Sequence, residues 1–147
     1  MDAHELQAAL GHWCGWIGRS ERRSDLITAA PLAGLAATLD RDEPEPGAGA
    51  EIPPLAHWLY FLPRARQSEI GPDGHPRRGA FLPPVPLPRR MWAGGRLAFL
   101  QPLRVGEAAT RESRITAVDA KHGRSGPLVF VTVRHEVTGA QGLALSE

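Results

Sequence analysis

Proline concentrated in one third of the chain limits what this sequence can fold into. Eleven of the 14 prolines lie between Pro44 and Pro88. Proline fixes φ, removes a backbone donor and restricts the residue before it, so long helices and central strands are disfavoured in this region. The densest stretch is DGHPRRGAFLPPVPLPRRMWAGGR, residues 73–96. We predict that it is a stiff, extended strut, with regular secondary structure mainly on either side of the proline-rich region.

The end of this strut carries side chains suited to an anionic ligand that also has an apolar part. Arg89 and Arg90 are permanently charged, and Trp92 supplies apolar surface. Gly94 and Gly95 let another group approach the backbone closely. We therefore take these five residues as candidate substrate-binding residues. The alternatives are that the arginines form a solvated face or pair with acids, and that Trp92 is core with the glycines starting a strand.

The DGHP motif, residues 73–76, contains an acid and a histidine two positions apart. Aspartate and glycine are typical turn residues and proline ends the motif, so we predict a turn. A second interpretation makes His75 a substrate contact, and a third makes Asp73 and His75 a catalytic pair. His57, in the aromatic segment HWLYF, is interpreted as a structural residue of a short buried segment.

The rest of the chain follows an α+β pattern. A helix at the N-terminus is followed by the short strand WIGRSERR and by an apolar helix over Pro31 to Asp40. We expect that helix to be buried, with Gly34 explained by close packing. Four β-type segments come after Gly95, and their order predicts an antiparallel meander: RLAFLQPLRV, EAATRESRITAVDA, LVFVTVRHEV and QGLALSE. The last is cut off near its start, which predicts an unpaired sheet edge.

Composition excludes several classes of protein. With 147 residues and a net charge of +1, we expect one domain and neither a nucleic-acid nor a membrane partner. The single cysteine, Cys14, excludes an internal disulfide framework and a cysteine-based zinc site. No metal-ligand spacing is found, and no signal peptide or membrane helix is predicted. These features indicate a cytoplasmic protein without a metal.

Several motifs resemble the N-terminal half of the MaoC-like dehydratases, in the branch with mesaconyl-CoA and itaconyl-CoA hydratases and fungal mitochondrial 3-hydroxyacyl-thioester dehydratases. The motifs cover most of the chain in the family's order: WIGRSERRSDLIT, AATLD, HWLYFLP, DGHPRRGAFLPPVPLPRRMWAGGRLAF and KHGRSGPLVFVTVRHEV. The resemblance implies a single hot-dog fold over residues 1–147, with a central helix wrapped by an antiparallel sheet.

The resemblance also implies an acyl-CoA hydratase or dehydratase that needs no cofactor beyond its coenzyme A thioester substrate. In the family pattern the catalytic acid and histidine lie in a second hot-dog half, so we name no catalytic residue in this chain and expect no activity without that half. The phosphates of coenzyme A are what Arg89 and Arg90 would bind. The expected partners are the thioester and a second half, a separate subunit or a second copy.

Two other functions stay open at this point. A non-enzymatic module that holds or scaffolds an acyl-CoA would bind the thioester without turning it over. PPVPLP could also be a polyproline ligand for a recognition domain. Its flanks GAFL and MWAGGRLAF resemble ordered structure rather than a disordered tail, which disfavours that interpretation.

Overall fold

A computed structural model describes residues 3–124 and 126–147, with the side chain of Ala3 outside the description. Within these residues, two helices and five strands are formed, together with two short 3₁₀ helices over Ala56–Leu59 and Gln67–Glu69. No helix in these two ranges is long and apolar enough to cross a membrane. The elements are α1 (Ala3–Cys14), β1 (Ser20–Leu26), α2 (Ala30–Thr38), β2 (Ala98–Phe99), β3 (Ala108–Gly123), β4 (Gly126–Gly139) and β5 (Gly142–Ser146).

The strands form one antiparallel sheet in the order β1-β3-β4-β5-β2. β5 pairs on one side with β4, Val137 opposite Leu145, and on the other with β2, Phe99 opposite Leu145. The expectation that the last segment leaves an unpaired edge is therefore wrong, because the short strand β2 covers β5. The predicted α+β class, with helices and one antiparallel sheet, is confirmed.

The predicted strand RLAFLQPLRV is mostly not a sheet strand. Only Ala98 and Phe99 join the sheet, and Pro102, which has no N–H, follows soon after. Leu103 and Val105 pair instead with the chain near Ala50: the Ile52 amide donates to the Leu103 carbonyl at 2.9 Å, and the Val105 amide donates to the Ala50 carbonyl at 2.9 Å. The chain at Ala50 to Ile52 is thus held to a buried segment.

Packing divides the chain into two compact units, each with its own apolar core. The first comprises Met1–Glu21, Pro63–Gly95 and Ser113–Arg134, and the second comprises Arg22–Leu62, Arg96–Glu112 and His135–Glu147. In the first unit, Ile115 is fully buried among Leu6, Trp13, Val85 and Val118. The proline strut contributes directly to this core, since Pro83 and Val85 are buried.

The core of the second unit is built around Ile27 and Val137, both fully buried, and includes Tyr60 and Phe61 of the aromatic segment. The Tyr60 hydroxyl donates to the Thr28 carbonyl at 2.6 Å, which satisfies its buried polar end. The prediction of a short buried segment between proline stops is confirmed for these two residues.

α2 contributes only Leu32 to that core as a buried residue, so the expectation of a helix buried all round is wrong. Leu39, just beyond the helix, is half exposed. Gly34 is exposed, and a methyl group added there would meet nothing within 4 Å. Close packing therefore does not explain this glycine.

Candidate functional site

Arginines of the first unit converge on a single carboxylate, that of Asp73. Arg90 donates to Asp73 Oδ2 from Nε at 3.2 Å and from Nη2 at 3.0 Å, and Arg78 Nη2 donates to the same oxygen at 3.2 Å. Arg90 Nη2 also donates to the Pro76 carbonyl at 3.0 Å, and Arg78 Nη1 donates to the Val85 carbonyl. We call Asp73, Arg78 and Arg90 the arginine clasp. It ties the turn at residues 73–76 to the proline strut.

The electrostatics of the clasp favour an ionised Asp73. Partial burial raises the pKa of this carboxyl, but the hydrogen bonds from Arg90, the His75 amide and Arg78, together with the Arg90 charge, outweigh it. The pKa of Asp73 falls to about 2. The carboxylate is therefore held as a fixed anion rather than as a group that exchanges protons near neutral pH.

The DGHP motif forms the predicted turn. The Gly71 amide donates to the His75 carbonyl at 2.7 Å, and Gly74 has a φ of +76°, which glycine adopts without strain. The His75 amide donates to Asp73 Oδ1 at 3.2 Å, while the His75 side chain is exposed. Both oxygens of Asp73 are thus bonded to groups other than the His75 imidazole, so the two residues are not arranged as an acid–base pair.

Next to the clasp lies an open cavity of about 270 Å³ within the first unit. Three arginines and one carboxylate line it, which leaves an excess of positive charge; the third arginine, Arg77, is exposed. Its apolar walls come from Pro84, Val85, Leu87 and Pro88 of the strut. A cationic cavity with an apolar wall suits an anion attached to an apolar or planar group.

The other predicted site residues lie outside this cavity. Arg89 is exposed, and Trp92 retains 71% of its surface in solvent. Gly94 and Gly95 are exposed as well. The structure therefore brings Arg90 together with Asp73, Arg77 and Arg78 but not with Trp92. Arg77, Arg78 and Asp73 also line this cavity, and sequence reasoning did not select them as substrate-binding candidates, although all three stand in the quoted motif.

A second cavity, of about 290 Å³, lies within the second unit beside His57. Phe99, Leu100 and Leu103 provide much of its apolar lining, and the rings of His57 and Phe99 meet edge to face with centroids 6.1 Å apart. Glu147 Oε2 lies 3.4 Å from His57 Nε2 and accepts a hydrogen bond from Trp58 Nε1 at 3.0 Å. The aromatic segment predicted a structural role for His57, but nothing in the sequence indicated that Glu147 is its partner.

His57 is a neutral, enclosed histidine. Only 4% of it is exposed, and burial lowers its pKa, assisted by the charge of Arg111 and opposed by the hydrogen bond and charge of Glu147. A carboxylate only accepts, so a neutral ring facing Glu147 carries its proton on Nε2. Its Nδ1 is buried and has no hydrogen-bond partner within the described residues. These features are those of a packed structural histidine rather than an exposed base.

Comparison with known proteins identifies relatives. The family described as hydroxyacyl-thioester dehydratase type 2 matches residues 55–147. A mesaconyl-C(4)-CoA hydratase of Chloroflexus aurantiacus is 50% identical over 135 residues, which make up 92% of this chain and 48% of that protein. The chain thus spans about half the length of this curated relative.

Among solved structures, an (R)-hydratase from A. caviae involved in PHA biosynthesis overlaps this chain with a TM-score of 0.47 and 20% identity. The overlap covers 88% of this chain and 90% of that one. At this level of overlap, the likeness adds nothing to the family assignment.

Proposed function

Because the chain belongs to the hydroxyacyl-thioester dehydratase type 2 family, we propose that it is the N-terminal, substrate-binding half of an acyl-CoA hydratase. The observation that carries the proposal is the 50% identity to a mesaconyl-C(4)-CoA hydratase, which extends over 92% of this chain. The proposed substrate is a short enoyl-CoA, with mesaconyl-C(4)-CoA as the first candidate. The proposed catalytic groups lie in a second half.

Hydration of an enoyl thioester adds hydroxide to the β-carbon and a proton to the α-carbon. A base must take a proton from water, an acid must protonate the α-carbon, and a donor must stabilise charge on the thioester oxygen. Asp73 is held as an anion between two guanidinium groups, and His57 is enclosed against Glu147. This supports a division of labour in which the present chain binds the substrate and its partner performs the proton transfers.

Within this chain, the cationic cavity is the proposed site for the phosphates of coenzyme A. The arginines most available for that role are Arg77, which lines the cavity, and Arg89, which lies outside the lining but next to Arg90 in sequence. Both are exposed, while Arg78 and Arg90 hold the clasp. Guanidinium groups bind phosphate oxygens in bidentate fashion, which suits a pyrophosphate. Trp92, Gly94, Gly95 and His75 lie outside this cavity and stay predicted substrate contacts without an assigned subsite.

Calorimetric titration with coenzyme A tests this site. We expect Arg77→Ala combined with Arg89→Ala to weaken binding about a hundredfold, since each removes a charge-assisted hydrogen bond worth about 1.5 kcal/mol. Arg41→Ala with Arg64→Ala removes the same charge elsewhere and should change the affinity less than twofold. Equal losses of coenzyme A affinity in both double variants would show that net charge attracts the ligand and that these arginines do not form a specific phosphate-binding site.

Turnover in the presence of a second half, and not coenzyme A binding, separates the proposal from its alternative, a non-enzymatic acyl-CoA-binding module. A binding module would hold coenzyme A or its thioester and gain no turnover from any second half. A hydratase half should bind the thioester and become part of an active enzyme when its partner is added.

A further inference from the structure

The two most exposed large apolar side chains among the described residues are neighbours in sequence. Met91 is 80% exposed and Trp92 is 71% exposed. Both follow directly after Arg90, in residues 91–95, which we call the 91–95 arm. Large exposed apolar surface in one short segment indicates a contact with another molecule.

The arm is anchored at its base. Arg90 makes three hydrogen bonds, two to Asp73 Oδ2 and one to the Pro76 carbonyl. The strut that leads to it has its φ angles fixed at Pro84, Pro86 and Pro88, and it is packed into the core through Val85. An element fixed in this way loses little conformational entropy when it binds a partner.

The arm also has a defined shape beyond its anchor. A methyl group added to Gly95 would lie 3.5 Å from Cζ2 of Trp92, so the indole packs over the backbone of this glycine. The arm therefore turns back on itself at Trp92, while Met91 and Trp92 both stay largely exposed. Tryptophan, methionine and arginine are the residues enriched in the cores of protein interfaces.

From these observations we propose that the 91–95 arm is the docking surface for the second half of the hydratase. This inference rests on the proposed function. The chain spans 48% of its relative, so in that relative about as much protein again accompanies the matched half. The charges around the arm indicate which partner surface would fit it. Arg89 is exposed beside the arm, and Arg77 is exposed near the clasp. The partner should offer an apolar pocket rimmed by carboxylates, and a second copy of this cationic face would be repelled.

The test is co-expression of the tagged chain with the separate second half of the Chloroflexus aurantiacus hydratase, the part that this chain does not match. We expect the wild-type chain to capture that half, and Met91→Ala with Trp92→Ala to weaken the complex at least tenfold. Trp92→Phe should retain most of the affinity. The control is Leu39→Ala, which truncates a half-exposed leucine outside the arm and should not change the affinity for the second half.

Each outcome decides the proposal. Because both arm side chains are exposed, the double variant should keep the thermal unfolding midpoint of the wild type, which excludes misfolding as the cause of lost binding. Capture that is equal in wild type and double variant would overturn the arm as the interface while leaving the proposed function intact. No capture by the wild-type chain would count against both.

Discussion

Replacing Ile115 by alanine should lower the free energy of unfolding by about 2–5 kcal/mol, the usual cost of truncating a fully buried isoleucine. Ile115 is 0% exposed and lies in the core shared by α1, the proline strut and β3. Its backbone is also fixed, since its amide donates to the Arg19 carbonyl at 3.0 Å and its carbonyl accepts from the Gly18 amide at 2.8 Å. The main chain at Ile115 therefore has little freedom to move into the cavity that the substitution leaves.

Ile17→Ala is the matched control, because the same side chain is removed from a position that is 47% exposed. We expect a loss of no more than about 0.5 kcal/mol there. Urea unfolding followed by circular dichroism measures both values. A loss at Ile115 no larger than that at Ile17 would contradict the described core of the first unit.

The second large effect is a pH dependence of stability that arises from His57. Its pKa in the folded chain lies below 6.5, so between that lower pKa and 6.5 the unfolded chain binds the extra proton. The free energy of unfolding should therefore fall as the pH is lowered through 6.5, with a slope of at most about 1.4 kcal/mol per pH unit. The contribution is fully present above pH 6.5.

Two variants isolate this contribution. The glutamine of His57→Gln cannot titrate, so this variant should lose the part of the pH dependence that His57 contributes. Trp58→Phe removes the other hydrogen bond to Glu147 but keeps the histidine, so it should retain the pH dependence. Unfolding free energies measured between pH 5 and pH 8 provide the comparison. If His57→Gln shows the same slope as the wild type, His57 is not the neutral, enclosed group described above.

Local sequence signals were sufficient where a structure depends on neighbouring residues. The turn at residues 73–76 follows from aspartate, glycine and proline at adjacent positions, and the long strands β3 and β4 follow from their composition. The burial of Tyr60 and Phe61 was predictable because apolar aromatic residues stood between proline stops.

Long-range pairing was where sequence reasoning failed. Leu103 and Val105 look like the continuation of a strand, yet their partners are Ile52 and Ala50 in a segment whose composition is that of a loop. The apolar composition of α2 suggested complete burial, but how much of a helix is covered depends on what packs against it. Here only Leu32 is buried.

At the candidate site, too, the identity of residues was predictable from sequence and their long-range pairing was not. The arginines and Trp92 could be selected from the motif, because charge and aromatic surface are properties of the residues themselves. That Arg90 pairs with Asp73, 17 positions earlier, depends on the path of the chain between them, which no spacing rule specifies. The pairing of His57 with Glu147 joins residues 90 positions apart and could not be predicted either.

The most direct measurement is a hydration assay with mesaconyl-C(4)-CoA, carried out on this chain alone, on the separate second half of the Chloroflexus hydratase, and on the two together. We expect turnover only when both are present. Turnover by the chain alone would contradict the account, because it would place the catalytic acid and base among the residues to which we assign binding.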